Sequence, residues 1–521
     1  MRITNIGHAG LFLETTAGTV LCDPWFNPAY FASWFPFPAN DRLDDRLVAG
    51  MRSPDYLYVS HLHRDHYDAD YLSAHVSKDT TVLLPEYPLP HLRNALESLG
   101  FTRFVHTRSA EPVELDGGLR VMIVALTAPN DGPIGDSCLA VADASATILN
   151  QNDARPTDLE ALARFGEFDA QWLQFSGAIW YPMVYDLPEK AKVALGNQKR
   201  QNGMDRARRY VEAVGARHVF PHAGPPAFLD GDLFELNDLG QPGNAFPDTP
   251  VFLDYLRDKG ISSAHATIPG STVELGEGRL RITHPLPEED VARIHLDKRA
   301  YLEGYHARWA DRIAAERASW ARGEEPLLPQ LREWFQPLME LAPTLCSRLG
   351  DRVRIDTGRE RIVLDFPNQQ VIEDDGAESR YVFSIDGALV RTCLRERYDD
   401  WVNALFLSCR FHASRRGPYN EHVYTWFKSL SAEKVRYVES WLTEERHVQE
   451  WWRFGDKLVQ RRCPHLGADL ARFGYVQDGV LTCAQHDWKF DVETGQCLTS
   501  EDVSLQVKPV EQAPVTAAAA D

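Results

Sequence analysis

The sequence predicts an α/β first unit, a mixed α+β middle region and a small all-β unit near the C-terminal end. In residues 1–290, short apolar runs between turn signals alternate with helical periodicity, which is typical of a layered α/β fold. Residues 291–431 begin with charged helical patterns, broken at Pro326 and Pro329, and continue with mixed strands and helices. Residues 432–511 contain short strand-like runs and turns, and the alanine-rich residues 512–521 predict a flexible tail.

Length and composition limit the class of protein. A chain of 521 residues exceeds one ordinary core, and 44% hydrophobic residues with 13 tryptophans support well-filled globular domains. A net charge of −20 opposes binding to nucleic acid or to an anionic membrane. The start of the chain is too polar for a secretory signal, and no apolar run is long enough to span a bilayer. We therefore expect a cytoplasmic protein without nucleic-acid or membrane partners.

The strands of the first unit are predicted from short apolar and β-branched runs. These runs cover residues 10–14, 19–22, 55–60, 119–126, 138–142, 147–149 and 218–220. Helical periodicity covers residues 203–214, and in the middle region we predict a strand at 361–366 and a helix around 397–407.

A histidine-rich segment, His61-Leu-His63-Arg-Asp65-His66, follows directly after one predicted strand. In a loop, His61 and His63 can face one metal position while Asp65 and His66 turn towards a second position. Two neighbouring metal ions need such a divided ligand set and a bridging carboxylate. The candidate bridge and distal ligand, which also follow predicted strands, are Asp153 and His222. His8 and His218 are interpreted as structural residues at strand ends.

This ligand pattern resembles the metallo-β-lactamase superfamily, and the resemblance covers about residues 1–225. It implies an αββα sandwich with a dinuclear metal site. The superfamily usually supplies a third histidine to the first metal, but residues 128–136 contain none. Asp131 is the preferred substitute and Asp136 the second, with a vacant position as the third alternative. A carboxylate there favours iron over zinc, and diiron oxygenases of the superfamily likewise have one.

Two short segments near the C-terminal end, Cys463-Pro-His465 and Cys483-Ala-Gln-His486, each supply one cysteine and one histidine. This composition suits a two-iron two-sulfur cluster with thiolates on one iron and imidazoles on the other. A zinc site is the alternative, since zinc accepts the same ligands. The surrounding sequence resembles Rieske ferredoxins and oxygenases. Ala468 and Gln485 occupy positions where respiratory Rieske proteins have cysteines, which implies the oxygenase type.

The combination resembles CMP-N-acetylneuraminate hydroxylase and its relatives, with further matches at Leu21-Cys-Asp-Pro-Trp25 and Asp399-Asp-Trp401. That family places the Rieske domain first, whereas here it is last. The resemblance implies an O2-dependent monooxygenase with a Rieske 2Fe-2S cluster and non-heme iron, most simply two irons. Its substrate would be a small polar metabolite, such as a nucleotide sugar or a natural-product intermediate. Because the sequence has no GxGxxG fingerprint, we expect a separate reductase or ferredoxin.

Several alternatives remain at this stage. The first unit could be a dinuclear hydrolase of lactonase or phosphodiesterase type with an accessory Rieske domain, or a degenerate scaffold on an electron carrier. The Rieske loops either fold back on the metal pocket or reach a neighbouring subunit in a homo-oligomer. A basic cluster either holds an anionic part of the substrate or forms a solvated helix face; it comprises Lys199, Arg200, Arg206, Arg208 and Arg209.

Overall fold

The computed structural model describes residues 1–128, 135–276, 278–444, 450–500 and 503–510. Two β-sheets face each other in the first unit. In spatial order, the strands of one sheet are Arg279–Thr283, Thr272–Gly276, Arg2–Gly7, Gly10–Thr15, Gly18–Cys22, Tyr56–Tyr58, Thr81–Leu84 and Phe104–His106. The strands of the facing sheet are His218–His222, Ala170–Gln174, Thr147–Asn152, Asp136–Ala142, Arg120–Leu126 and Val113–Glu114.

Helices cover the outer faces of both sheets. Leu11 and Trp172 belong to the apolar core between the sheets. The helices on the first sheet are Asp45–Arg52, Ala69–His75 and His91–Ser98, and those on the second are Leu159–Phe165, Glu189–Val214 and Thr249–Asp258. Single-turn 3-10 helices occur at Asp116–Gly118 and Phe234–Asn237. This arrangement is the αββα sandwich of the metallo-β-lactamase fold, as the sequence predicted.

Strand direction places the candidate metal ligands at one edge of the sandwich. Tyr56–Tyr58 runs parallel to both of its neighbours in the first sheet. In the second sheet, Thr147–Asn152, Ala170–Gln174 and His218–His222 are parallel to one another. Because the carboxyl ends of parallel strands meet at the same sheet edge, the segments that follow them converge there.

The middle region has its own sheet and helices. Its helices are Glu288–Leu296, Lys298–Ser319, Leu327–Glu340, Pro343–Leu349, Gly387–Arg395, His422–Phe427 and Ala432–Thr443, with a 3-10 turn at Phe406–Ser408. Its strands, in spatial order, are Gln370–Glu373, Arg361–Asp365, Arg352–Asp356, Tyr381–Ile385 and Phe411–Arg415.

Two local predictions in this region were wrong. Pro329 lies in the first turn of the helix Leu327–Glu340, where a backbone N–H has no intrahelical acceptor, so it does not break the helix. A helix was predicted around 397–407, but the helix in this part of the chain is Gly387–Arg395, which ends before that range. Arg397 has a positive φ of 51°, and the chain then turns to bury Trp401 against Phe427. Tertiary aromatic packing therefore decides the path of this segment.

The first unit and the middle region share one continuous apolar core. Tyr30 and Trp34 of the first unit belong to the same buried cluster as Phe383 and Trp401 of the middle region. Backbone hydrogen bonds join the units as well, since Ala413 N donates to Val184 O at 2.9 Å and Asp186 N donates to Ala413 O at 2.8 Å. These contacts hold the middle region against the first unit.

The C-terminal unit is a small β structure with one short helix among its described residues, Leu470–Phe473. One of its sheets contains Trp451–Phe454, Lys457–Gln460 and Val507–Pro509, and the other contains Gly474–Gln477, Val480–Cys483 and Trp488–Asp491. Within the described residues, no helix is both long enough and apolar enough to cross a membrane.

Candidate metal centre and cluster site

The histidine-rich loop begins immediately after the strand Tyr56–Tyr58 and folds back on itself. Backbone N–H groups of His66 and Tyr67 donate to the His63 carbonyl, at 3.0 and 2.7 Å. This tight turn brings His61 Nε2 to 2.6 Å from His63 Nδ1 and places the rings of His61 and His66 4.3 Å apart. The three imidazoles that the sequence singled out are therefore neighbours around one small volume.

Asp23, at the end of the strand Gly18–Cys22, holds this loop from behind. Its carboxylate is fully buried and accepts hydrogen bonds from Ser60 N and Ser60 Oγ, both at 2.7 Å. Its Oδ2 also lies 3.0 Å from His66 Nδ1. A ring nitrogen that donates to a carboxylate leaves the other nitrogen to face a metal, which is the usual second-sphere arrangement of a ligating histidine. Asp23 thus directs His66 Nε2 into the site.

Asp65 is held by two further residues of the first unit. His8 Nε2 lies 3.0 Å from Asp65 Oδ2, and the Tyr30 hydroxyl donates to Asp65 Oδ1. His8 therefore contacts the site, although the sequence assigned it a structural role; its ring nitrogen supports Asp65. Oxygen or nitrogen atoms of His8, Asp65 and His66 lie within 4.8 Å of one another.

Asp153 and His222 reach the same volume from the second sheet. Ligand atoms of His61, His63 and Asp153 lie within 4.8 Å of one another, and Asp153 Oδ2 is 3.5 Å from His66 Nε2. Several buried atoms here have no hydrogen-bond partner among the described residues: His63 Nε2, His66 Nε2, His222 Nε2 and Asp153 Oδ1. Buried polar atoms are normally satisfied. A set of orphaned imidazole nitrogens beside a carboxylate oxygen fits a metal centre with nitrogen and oxygen ligands.

Burial and local charge set the protonation of these side chains. Burial lowers the pKa of His61 to about 4 and that of His222 to about 3, so both imidazoles stay neutral, as metal binding requires. For His66 burial acts in the same direction, but Asp153 and Asp65 outweigh it and raise its pKa. Burial would raise the pKa of Asp153, yet His66 and His61 hold it well below its usual range. An ionised Asp153 between imidazoles can bind metal.

The position of the usual third histidine is only partly described. Asp131, the preferred substitute, lies outside the described residues. Asp136 is described; its Oδ1 lies 3.3 Å from His61 Nδ1 and accepts a hydrogen bond from Ser137 N at 2.6 Å. Asp136 therefore contacts the back of the His61 ring.

The two cysteine–histidine segments come together at the tip of the C-terminal unit. A hydrogen bond between the Cys463 and Cys483 side chains raises the pKa of Cys463 and lowers that of Cys483. Both cysteines are buried, and the rings of His465 and His486 lie 5.0 Å apart. Two adjoining thiols and two adjoining imidazoles are the donor set that a Rieske cluster uses.

One cavity of about 800 Å³ connects the two sites. His63 and Asp153 line it from the metal side, and His465 and His486 line it from the cluster side. The Rieske loops therefore fold back on the metal pocket of the same chain, which was one of the two arrangements left open by the sequence.

Contacts from both other units hold the cluster loops in this position. Arg155 Nη1 and Arg206 Nη1 donate to the Gln485 carbonyl at 3.2 and 3.5 Å, and Gln485 Nε2 donates to the Tyr210 hydroxyl at 2.7 Å. From the middle region, Glu421 Oε2 lies 2.8 Å from His465 Nε2. The docked Rieske unit is thus tied to the first unit and to the middle region by polar contacts at its ligand loops.

The fold and the donor sets define the class: a Rieske iron–sulfur protein whose cluster unit is fused to a metallo-β-lactamase-fold metal unit. Family models match residues 453–509 as a Rieske [2Fe-2S] domain and residues 327–444 as an Rv3818-like, SCP2-like domain. The putative Rieske 2Fe-2S iron-sulfur protein Rv3818 of Mycobacterium tuberculosis is 50% identical over 515 residues, covering 97% of this chain and 99% of that protein. The chain belongs to the family of this mycobacterial Rieske iron–sulfur protein.

Among solved structures, the chain is similar to an isothiocyanate hydrolase from Delia radicum gut bacteria, with 15% identity and a TM-score of 0.37 over 53% of this chain and all of that one. It is also similar to CmlA, a diiron β-hydroxylase from Streptomyces venezuelae, with 19% identity and a TM-score of 0.36 over 54% of each chain.

Some residues of the site were missed by sequence reasoning. Asp23 follows a strand, as Asp153 does, and it lies in the matched segment 21–25, but that segment was given no role in the site. Arg155 lies two positions after Asp153, outside the basic cluster, whose residues lie on the helix Glu189–Val214. Glu421 has no local signal, because its contact with His465 spans 44 residues and two structural units.

Proposed function

We propose that this protein is an O2-dependent monooxygenase in which a Rieske cluster supplies electrons to non-heme iron. The observation that carries this proposal is the shared cavity, whose walls contain His63 and Asp153 at one end and His465 and His486 at the other. A hydrolytic metal site has no need of an electron donor, whereas reductive oxygen chemistry needs one beside the metal. The arrangement therefore favours oxygenation.

The geometry around the strand ends supports a division of the predicted ligands between two irons. One iron would be held by His61, His63 and Asp153, whose ligand atoms lie within 4.8 Å of one another. A second iron would be held by Asp65, His66 and His222, with Asp153 as the shared carboxylate. Asp65 and His66 form a close group with His8, which supports Asp65, and the buried Nε2 of His222 has no partner among the described residues. Iron bound here supplies the reductive activation of dioxygen. The four imidazoles and the two carboxylates Asp65 and Asp153 make a mixed nitrogen and oxygen donor set, which iron accepts.

The chain itself provides the path between the redox sites. Because His465 and His486 line the same cavity as His63, electron transfer would be intramolecular. The hydrogen bond from Arg155 to the Gln485 carbonyl and the contact of Glu421 with His465 hold the two ligand sets in place relative to each other. Electrons would reach the cluster from a separate reductase or ferredoxin.

The cavity indicates the kind of substrate. Its volume of about 800 Å³ falls in the range of small-molecule sites, and its lining mixes aromatic with polar side chains. Trp180, Tyr181 and Tyr424 form apolar walls with polar tips. These features support a small polar metabolite that is hydroxylated or N-oxygenated in the cavity.

Metal analysis tests this function directly. Protein purified without oxygen should contain about four irons per chain, two in the cluster and two in the metal centre. The double variant Cys463→Ser, Cys483→Ser should keep about two irons and lose the Rieske spectrum. Cys497→Ser is the matched control, because Cys497 is also buried in the C-terminal unit but lies outside the ligand loops.

The functional readout is oxygen uptake that depends on a chemical reductant and on an intact cluster. Wild-type protein and Cys497→Ser should consume oxygen with reductant, and the double variant should not sustain it. Zinc in place of the centre's iron, together with hydrolytic turnover without reductant, would overturn the proposal.

A further inference from the structure

Two arginines lie side by side where the first unit meets the C-terminal unit. Arg155 follows Asp153 by two residues, and Arg206 lies on the helix Glu189–Val214. Both donate to the same acceptor, the Gln485 carbonyl, and both line the cavity. Of the basic cluster found in the sequence, Lys199 and Arg206 face this cavity.

These two arginines share one nearby carboxylate, Asp487, with Lys199. Neither guanidinium has an ion-paired carboxylate within the part of the chain that the structure describes, and Arg206 is only 8% exposed. The nearby carboxylate of Asp487 pairs instead with Lys199, at 3.3 Å. Burial, and then repulsion by Arg155, lower the pKa of Arg206 to about 9. A buried cation without an ion-paired anion is costly, so the buried Arg206 beside the half-buried Arg155 favours the binding of an anion here.

The neighbours on the same helix behave differently. Arg208 pairs with Glu212 and does not line the cavity, and Arg209 donates to the Arg472 carbonyl. Of the arginines on this helix, Arg206 therefore lines the cavity, where it lies beside Arg155. This pair adjoins Asp153 on one side and the cluster ligand His486 on the other, which places the pair between the two redox sites.

We infer that Arg155 and Arg206 form an oxyanion site that anchors a phosphate, sulfate or carboxylate group of the substrate. This inference rests on the proposed function only in that it calls the bound molecule a substrate. Anion binding at the site does not itself depend on oxygenase activity. Paired guanidinium groups match the planar, two-oxygen geometry of carboxylate and phosphate. With the anion held at this end, the remainder of the molecule lies along the aromatic walls, within reach of the metal side.

The same geometry provides a spectroscopic reporter. Both arginines donate to the carbonyl of Gln485, which immediately precedes the cluster ligand His486. An anion that accepts hydrogen bonds from these guanidinium groups changes the hydrogen bonding and the charge beside that ligand. Inorganic phosphate, added to the reduced holoprotein at constant ionic strength, should therefore shift the visible circular dichroism and EPR spectra of the cluster with saturation. Chloride at the same ionic strength should not.

Three variants test the assignment. Arg206→Gln should weaken the phosphate effect by about tenfold or more, since it removes a charged donor. Arg206→Lys should retain part of it, because the charge remains while the fork geometry is lost. Arg208→Gln is the matched control on the same helix and should bind phosphate as wild type does. The phosphate-free Rieske spectrum of each variant reports whether the cluster unit is still intact.

Two results would overturn the site: no saturable phosphate effect in wild type, or an equal effect in wild type and Arg206→Gln with an intact cluster. If Arg206→Gln only lowered the cluster's reduction potential and left phosphate binding unchanged, the arginines would serve the cluster charge and not an anion. Phosphate binding that persists in a protein without reductant-dependent oxygen uptake would leave the site standing while the proposed function fails.

Discussion

Glu421 of the middle region lies 2.8 Å, from Oε2 to Nε2, from His465 of the C-terminal unit. Only 12% of the Glu421 side chain and 7% of the His465 side chain are exposed. The middle region therefore does more than enclose the cavity, because it places a carboxylate against a predicted cluster ligand. Hydrogen bonds and charges near an iron–sulfur cluster set its reduction potential.

Glu421→Gln should raise the reduction potential of the cluster. The substitution keeps the side-chain shape but removes a negative charge that disfavours the reduced cluster, so we expect an increase on the order of tens of millivolts. A redox titration followed by circular dichroism measures it. Glu433→Gln is the control, since Glu433 belongs to the same region but is 53% exposed. Equal potentials in wild type and Glu421→Gln would contradict the prediction.

Asp23→Asn should weaken metal binding without removing a ligand. The buried carboxylate holds His66 Nδ1 and the Ser60 backbone, and replacing such second-sphere partners costs about 10–100-fold in metal affinity. Iron retention during dialysis against a graded chelator series measures the loss. Asp44→Asn serves for comparison, because it changes an exposed N-cap to another good N-cap residue. Retention curves that coincide for Asp23→Asn and wild type would show that Asp23 does not support the centre.

His8→Gln distinguishes a supporting role of His8 from ligation. If His8 only positions Asp65 through its Nε2 contact at 3.0 Å, a glutamine can still donate to that carboxylate, and the centre should keep its iron with affinity reduced by about tenfold. His218→Gln, at the start of a strand in the second sheet, should bind iron as wild type does. Complete loss of the non-cluster iron in His8→Gln would instead identify His8 as a ligand.

Asp230→Asn should destabilise the junction between the first unit and the middle region. Asp230 Oδ2 lies 2.7 Å from Arg410 Nη2, and both side chains are almost fully buried. Removing one partner leaves a buried cation, which costs about 3–5 kcal/mol in the free energy of unfolding. Urea denaturation, followed by tryptophan fluorescence, measures the change.

Asp232→Asn provides the matched control for this pair. Asp232 forms an ion pair too, with Arg317, but the Asp232 side chain is 65% exposed. Loss of this exposed pair should therefore lower the free energy of unfolding by less than about 1 kcal/mol. Similar losses in the two variants would show that the buried pair has no special weight.

Local sequence patterns predicted much of the fold and the site. Strand runs such as 138–142 fall within observed strands, because a strand that is buried on both faces consists of a short continuous apolar run. The order of histidines and aspartate in the loop 61–66 predicted a compact set of metal-type side chains, and the structure brings them together. Whether each binds iron stays a prediction. The prediction of a helix around 397–407 was wrong because long-range aromatic packing, not local periodicity, directs that segment.

The sequence by itself determined the donors within the loop 61–66 and within each cysteine–histidine segment, because ligands that share one loop are close in space whatever surrounds them. Only the tertiary structure decided that both sets line one cavity, that Glu421 contacts His465, and that Arg155 and Arg206 converge on Gln485. These relationships join residues separated by 44 to 330 positions. They depend on how three units pack, through a shared apolar core and buried polar contacts, and such packing leaves no periodic trace in the chain.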